Sequence, residues 1–192
     1  MNLPNKITLL RIILIPFVIF FYLATFIPFG KLVALIIFIL ACCTDALDGY
    51  IARKYNLVTD LGKLLDPIAD KVLTVSALFL VVSDGTILAP YGVIIGIVII
   101  AREFIISALR QIASAKNHVM AADKFGKLKT IFQDITLPLF LFLSFLNTEN
   151  ILIETTFYNI IAILAYVTLG IATVFTIYSC INYLVKNREV LK

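Results

Sequence analysis

The sequence predicts an all-α integral membrane protein of six transmembrane helices, with both termini cytoplasmic and a single unit spanning residues 1–192. Three observations predict it. Of 192 residues, 61% are hydrophobic and 15% charged, with a mean hydropathy of +1.05, which excludes an ordinary water-soluble globular domain. Six apolar stretches each reach the about 20 residues that a bilayer crossing takes. The basic residues gather at one side of those stretches.

The spans fall near residues 7–27, 32–54, 63–83, 87–114, 126–147 and 156–185. The first, flanked by Lys6 and carrying Arg11, is built like a secretory signal, but no small-residue cleavage site follows, so it reads as an uncleaved span. Breaks at Pro28–Gly30, Tyr55–Leu61, Ser83–Thr86, Lys116–Lys124 and Asn147–Glu154 carry Gly, Pro, Asn and Asp, the residues of connections. Lys6, Arg11, Arg53, Lys54, Lys63, Arg110, Lys116, Lys124, Lys127, Lys129, Lys186, Arg188 and Lys192 fall at one side. Lys31, Asp84, Glu149 and Glu154 fall at the other. That asymmetry predicts an even number of crossings with both ends inside. The formal charge of +4 thus reflects membrane orientation, and no nucleic-acid partner is expected.

Other polar residues inside the spans have structural readings. Pro16 and Pro138 read as kinks that neighbouring helices tolerate. Arg102, Glu103 and Asp134 read as members of buried ion pairs, and His118 as a solvated loop residue. The three cysteines, Cys42, Cys43 and Cys180, lie in apolar stretches and imply no disulfide framework. Gly92 and Gly96 have the spacing of close helix packing, within the chain or between copies.

One stretch resists a purely structural reading. Asp45-Ala-Leu-Asp48-Gly49-Tyr-Ile-Ala52-Arg53 is followed, after eight residues, by Gly62-Lys-Leu-Leu-Asp66-Pro-Ile-Ala-Asp70. On helices, Asp45 shares a face with Asp48, and Asp66 with Asp70. Carboxylates beside hydrocarbon are costly unless paired, hydrogen-bonded or metal-bound. Four converging carboxylates repel one another unless cations lie between them. All-oxygen donors favour Mg²⁺ or Mn²⁺. Such metals beside Arg53 suit a diphosphate, and Gly49, Ala52 and Gly62 leave room for a bulky group to approach the helix backbone. Salt bridging to Arg53 and Lys63 would account for one or two of the acids, not four. Pro67 is compatible with a helix start capped by Asp66 or with a kink.

The pattern D-x₂-D-G-x₂-A-R-x₈-G-x₃-D-x₃-D resembles the signature of the CDP-alcohol phosphotransferases, with every fixed position met. Further runs resemble the branch of that family whose acceptor is sn-glycerol 3-phosphate: Asn2-Leu-Pro-Asn5-Lys-Ile-Thr8-Leu-Leu-Arg11, Gly62-Lys-Leu-Leu-Asp66-Pro-Ile-Ala-Asp70-Lys71, Arg102-Glu103-Phe104 and Lys124-Phe-Gly126-Lys127-Leu-Lys129-Thr130. The resemblance implies phosphatidyl transfer from CDP-diacylglycerol to glycerol 3-phosphate, with two Mg²⁺ or Mn²⁺ ions per site. Asp45, Asp48 and Asp66 would hold the first ion and Asp45, Asp66 and Asp70 the second, with Asp70 also the general base. Asp48, Gly49, Ala52, Arg53 and Gly62 would line the CDP pocket, with Asn5 and Thr8 near the nucleotide. The acceptor phosphate needs basic partners away from the metals; Arg110 and Lys127 are expected there, with Arg11, Lys124 and Lys129 as weaker candidates, each having a membrane-surface anchor as its plain reading. A homodimer in contact with membrane lipids is expected from the family.

Three other functions compete. A sibling would use inositol phosphate, serine or phosphatidylglycerol as acceptor. An intramembrane prenyltransferase would carry its acidic motif twice in a larger bundle. A cation carrier would place such groups at midplane in related repeats, and no repeat is visible.

Overall fold

The computed structural model describes residues 3–54, 60–115, 124–149, 151 and 154–187; side chains of 3–4, 45–54, 60–61, 63–64 and 114–115 lie outside the description. Six helices follow in order: α1 (Leu3–Leu23), α2 (Gly30–Lys54), α3 (Asp60–Ser83), α4 (Tyr91–Ala115), α5 (Lys124–Thr148) and α6 (Thr155–Lys186). No strand occurs among the described residues. A backbone that meets lipid must satisfy its polar groups within the segment, and an α-helix does so.

Four helices contain segments long and apolar enough to cross a membrane: 5–23, 91–113, 124–148 and 155–186. The apolar described part of α2 is Gly30–Thr44, and α3 carries Asp66, Asp70 and Lys71 near its start. In both, the charged motif interrupts the apolar run.

Two expected boundaries move. The first span stops at Leu23, where the chain turns through Ala24–Phe29. This tight return needs Gly30, because a Cβ there would lie 2.6 Å from the carbonyl oxygen of Phe21. The fourth helix begins at Tyr91, after Pro90, a residue that is tolerated at a helix entrance. Pro67 is also resolved: α3 starts at Asp60 and runs through it, so Asp66 does not cap a helix start.

The core is made by α1, α2, α3 and α5, with α6 closing over α5. Ala34, Ala41, Ala77 and Ala165 are fully buried and permit close approach of helices, while Phe38, Phe140 and Leu141 fill the space between them. Large apolar side chains also face outward; Phe104 is 70% exposed and Ile97 62%. Exposure on this scale suits a hydrocarbon solvent.

Helix α4 packs against α3 and α6. Gly96 faces Leu78 of α3, and a Cβ on Gly92 would meet Ile87 at 2.9 Å. Both glycines thus have neighbours within the chain. Between α3 and α4 lies an apolar groove of about 230 Å³, bordered by Leu78, Val82, Gly92, Gly96 and Ile97.

Candidate functional site at one end of the bundle

Because the helices alternate in direction, the starts of α1, α3 and α5 and the ends of α2, α4 and α6 lie at one end. The backbone of the acidic motif and most of the described basic residues are there.

On α1, Asn5, Thr8 and Arg11 recur every third residue, and all three are buried. This polar stripe turns toward α2 and α3 because the alternative is lipid. Thr8 Oγ1 donates to Asp66 Oδ1 at 2.6 Å. Arg11 Nε donates to the carbonyl of Ala41 at 3.3 Å, one turn before Asp45. Thr8, assigned above to the neighbourhood of the nucleotide, thus touches one of the expected metal ligands, and Arg11 joins α1 to α2.

On α3, Asp66 is half-buried and Asp70 exposed, one turn apart on one face, and Gly62 is buried one turn before Asp66. Thr74 Oγ1 donates to the Asp70 carbonyl at 3.0 Å. The backbone of Asp45, Asp48, Gly49, Ala52 and Arg53 lies in the last turns of α2; their side chains lie outside the described residues, so the convergence of all four acids is not described. No three metal-capable side chains come together among the described residues. The donors that are described, Asp66 and Asp70, are hard oxygens and fit Mg²⁺ or Mn²⁺ chemistry.

The basic candidates separate. Arg110 is exposed, and its Nε donates to the Tyr183 hydroxyl at 3.2 Å with the guanidinium 5.7 Å from that ring. Lys124 and Lys127 are exposed at the start of α5. Lys129 is buried and ion-paired to Glu103 at 2.7 Å, and Arg102 meets the same carboxylate oxygen at 2.8 Å. Arg102 Nε also donates to Ser179 Oγ at 3.3 Å. The ion pair expected for Arg102 and Glu103 therefore extends into a network spanning α4, α5 and α6. Asp134 has partners of its own, and His118 lies outside the described residues.

Sequence reasoning missed two residues at this end. Tyr183 holds Arg110, and Ser107 of α4 accepts a hydrogen bond from Lys71 Nζ. Nothing in the spacing could pair residues from different helices. The only available signal was a polar serine and a lysine in otherwise apolar surroundings.

Comparison with known proteins points the same way. Residues 1–183 match the family described as CDP-alcohol phosphatidyltransferase. A Bacillus subtilis (strain 168) protein named CDP-diacylglycerol–glycerol-3-phosphate 3-phosphatidyltransferase is 42% identical, over 100% of this chain and 97% of its own. Proteins of the same name from Haemophilus influenzae and Yersinia pestis (strain Pestoides F) are similar too. The first is 39% identical, covering 95% of this chain and 91% of its own. The second is 36% identical, covering 96% and 93%.

Proposed function

Because the chain belongs to the CDP-alcohol phosphatidyltransferase family, we propose that it transfers the phosphatidyl group of CDP-diacylglycerol to sn-glycerol 3-phosphate, forming phosphatidylglycerophosphate and releasing CMP. The observation that carries the choice of acceptor is end-to-end similarity to relatives named for that reaction. The site end supports the chemistry, since Asp66 and Asp70 share one face of α3 beside the Thr8 hydroxyl.

The acceptor hydroxyl oxygen attacks the phosphorus that bears diacylglycerol. The bond from that phosphorus to the oxygen bridging to CMP breaks, and CMP leaves with the electron pair. Asp70 accepts the hydroxyl proton as general base. Asp45, Asp48, Asp66 and Asp70 would hold two Mg²⁺ or Mn²⁺ ions, which when bound supply neutralisation of the diphosphate. Asn5, Asp48, Gly49, Ala52, Arg53 and Gly62 form the CDP pocket, and Thr8 orients Asp66 at its edge. Arg110 and Lys127 bind the acceptor phosphate, with Lys124 beside them; Lys129 and Arg11 already hold helices together. All six helices span the bilayer with both termini cytoplasmic, so the site opens to the cytosol, where glycerol 3-phosphate is soluble. The one-sided basic residues support that orientation.

The test is CMP release from CDP-diacylglycerol by purified protein with Mg²⁺ or Mn²⁺, screened across glycerol 3-phosphate, inositol phosphate, serine and phosphatidylglycerol. Turnover with glycerol 3-phosphate, lost on chelation, is expected. Turnover only with another acceptor would leave the family standing and remove this acceptor.

A further inference from the structure

We propose that Lys71 is a positioning residue: its bond to Ser107 is the strut that holds α4, and with it Arg110, at a working distance from the Asp70 turn of α3. The inference rests on the reading of Arg110 as a partner of the acceptor phosphate.

The need for a strut follows from the packing. Helix α4 meets α3 across an apolar groove of about 230 Å³ that occupies the end far from the site. Apolar contacts there are incomplete, and in a bilayer lipid tails compete with them on equal terms, so they do little to fix the separation of the two helices. Lys71 follows Asp70 directly and leans toward the start of α3, as side chains on a helix do. That carries its ammonium group across to α4, where it donates to Ser107 Oγ. Ser107 in turn donates to the carbonyl of Glu103 at 2.7 Å, and the Glu103 side chain is clamped by Arg102 and Lys129. The hydrogen bonds thus run from the Asp70 turn through α4 into α5, and through Arg102 to Ser179 of α6. Arg110 lies three residues after Ser107, on the neighbouring part of the same α4 face. A shift of α4 relative to α3 would move Arg110 away from any acceptor whose hydroxyl sits at Asp70, and near-attack geometry tolerates little displacement.

Two measurements on the full chain test this. In the first, Cys42, Cys43 and Cys180 are replaced by alanine, and spin labels are placed at the outward-facing positions Ile68 of α3 and Ile112 of α4, 47% and 45% exposed. A single distance is expected, lengthened or broadened by Lys71→Met and by Ser107→Ala, and retained by Lys71→Arg. An unchanged distribution in Lys71→Met overturns the proposal, whatever the acceptor proves to be. In the second, Lys71→Met should raise the KM for glycerol 3-phosphate roughly tenfold, the scale of losing one charged hydrogen bond, while the KM for CDP-diacylglycerol stays put. Ser107→Ala should move the same constant, and adding it to Lys71→Met should change nothing more. An effect of Lys71→Met without any effect of Ser107→Ala would make Lys71 a direct ligand and overturn the strut, as would equal rises in both KM values. A protein that ignores glycerol 3-phosphate fails the acceptor reading instead, and the distance measurement still decides the strut.

Discussion

The two ends of the bundle treat aspartate in opposite ways. At the far end, Asp84 Oδ2 accepts from Lys31 Nζ at 2.8 Å, from the Tyr22 hydroxyl at 2.6 Å and from Ser144 Oγ. Its Oδ1 accepts from the Thr86 backbone N–H and from Thr86 Oγ1 at 3.0 and 2.6 Å. One carboxylate thereby clasps α1, α2, α5 and the α3–α4 turn. Burial pushes its pKa up, but the hydrogen bonds from Lys31, Ser144, Thr86 and Tyr22 outweigh this and bring it down from 3.8 to about 2. At the site end, Asp66 is held by Thr8 and Asp70 stays exposed. An acid saturated by the chain's own donors stabilises the fold, whereas two acids one turn apart on one helix face, beside a motif with two more, are placed to meet cations and protons from outside.

The sharpest way to break that contrast is Asp70→Asn. CMP release should fall by at least about 10²- to 10⁴-fold, the usual worth of a general base, with CDP-diacylglycerol binding retained in a titration. Most of the rate surviving would end the general-base role. Next, Asp66→Ala and Asp84→Ala should have opposite signatures. The first should abolish turnover and weaken Mn²⁺ binding with little change in melting temperature. The second should leave the kcat of folded protein near wild type and lower stability by about 1–3 kcal/mol, because Lys31 loses its counter-charge at a half-buried site. A stability loss at Asp66 as large as that at Asp84 would erase the distinction.

Gly30→Ala probes the far end without touching charge. Its Cβ would lie 2.6 Å from the Phe21 carbonyl, so α1 and α2 must separate, at about 1–3 kcal/mol in thermal unfolding. The smallest effect is the acid limb. Since the folded pKa of Asp84 is below its unfolded value, its stabilisation is fully present above about pH 4 and fades as pH falls through about 2. With solvent screening it amounts to on the order of 1 kcal/mol. Unfolding of wild type and Asp84→Asn should therefore converge as pH drops toward 2, and a constant gap would refute the assignment.

Six helices and the acidic signature were legible in the linear chain, because long apolar runs stand out by length and hydropathy and the motif's residues stand at short, regular spacings. Boundaries were less legible where packing decided them. Residues 24–27 are as apolar as the helix before them, yet the chain turns there to bring Gly30 against Phe21. Pro67 lies inside α3, although a helix start at that point was equally compatible with its neighbours. Lys129 and Arg110 look alike as basic residues at one side of the membrane. Only the folded chain buries the first against Glu103 and leaves the second exposed against Tyr183.

Residue order alone determined the helical class, the apolar character of the chain and the family it belongs to, since these depend on composition, local periodicity and short motifs. Tertiary structure decided which polar groups meet: Thr8 with Asp66, Lys71 with Ser107, and Asp84, just past α3, with side chains of α1, α2 and α5. Those partners are separated by 58, 36 and as many as 62 positions, and no period of 3.6 reaches across such distances. Between tightly packed helices a polar side chain is costly unless it meets a partner, and only the packing of the helices determines which partner that is.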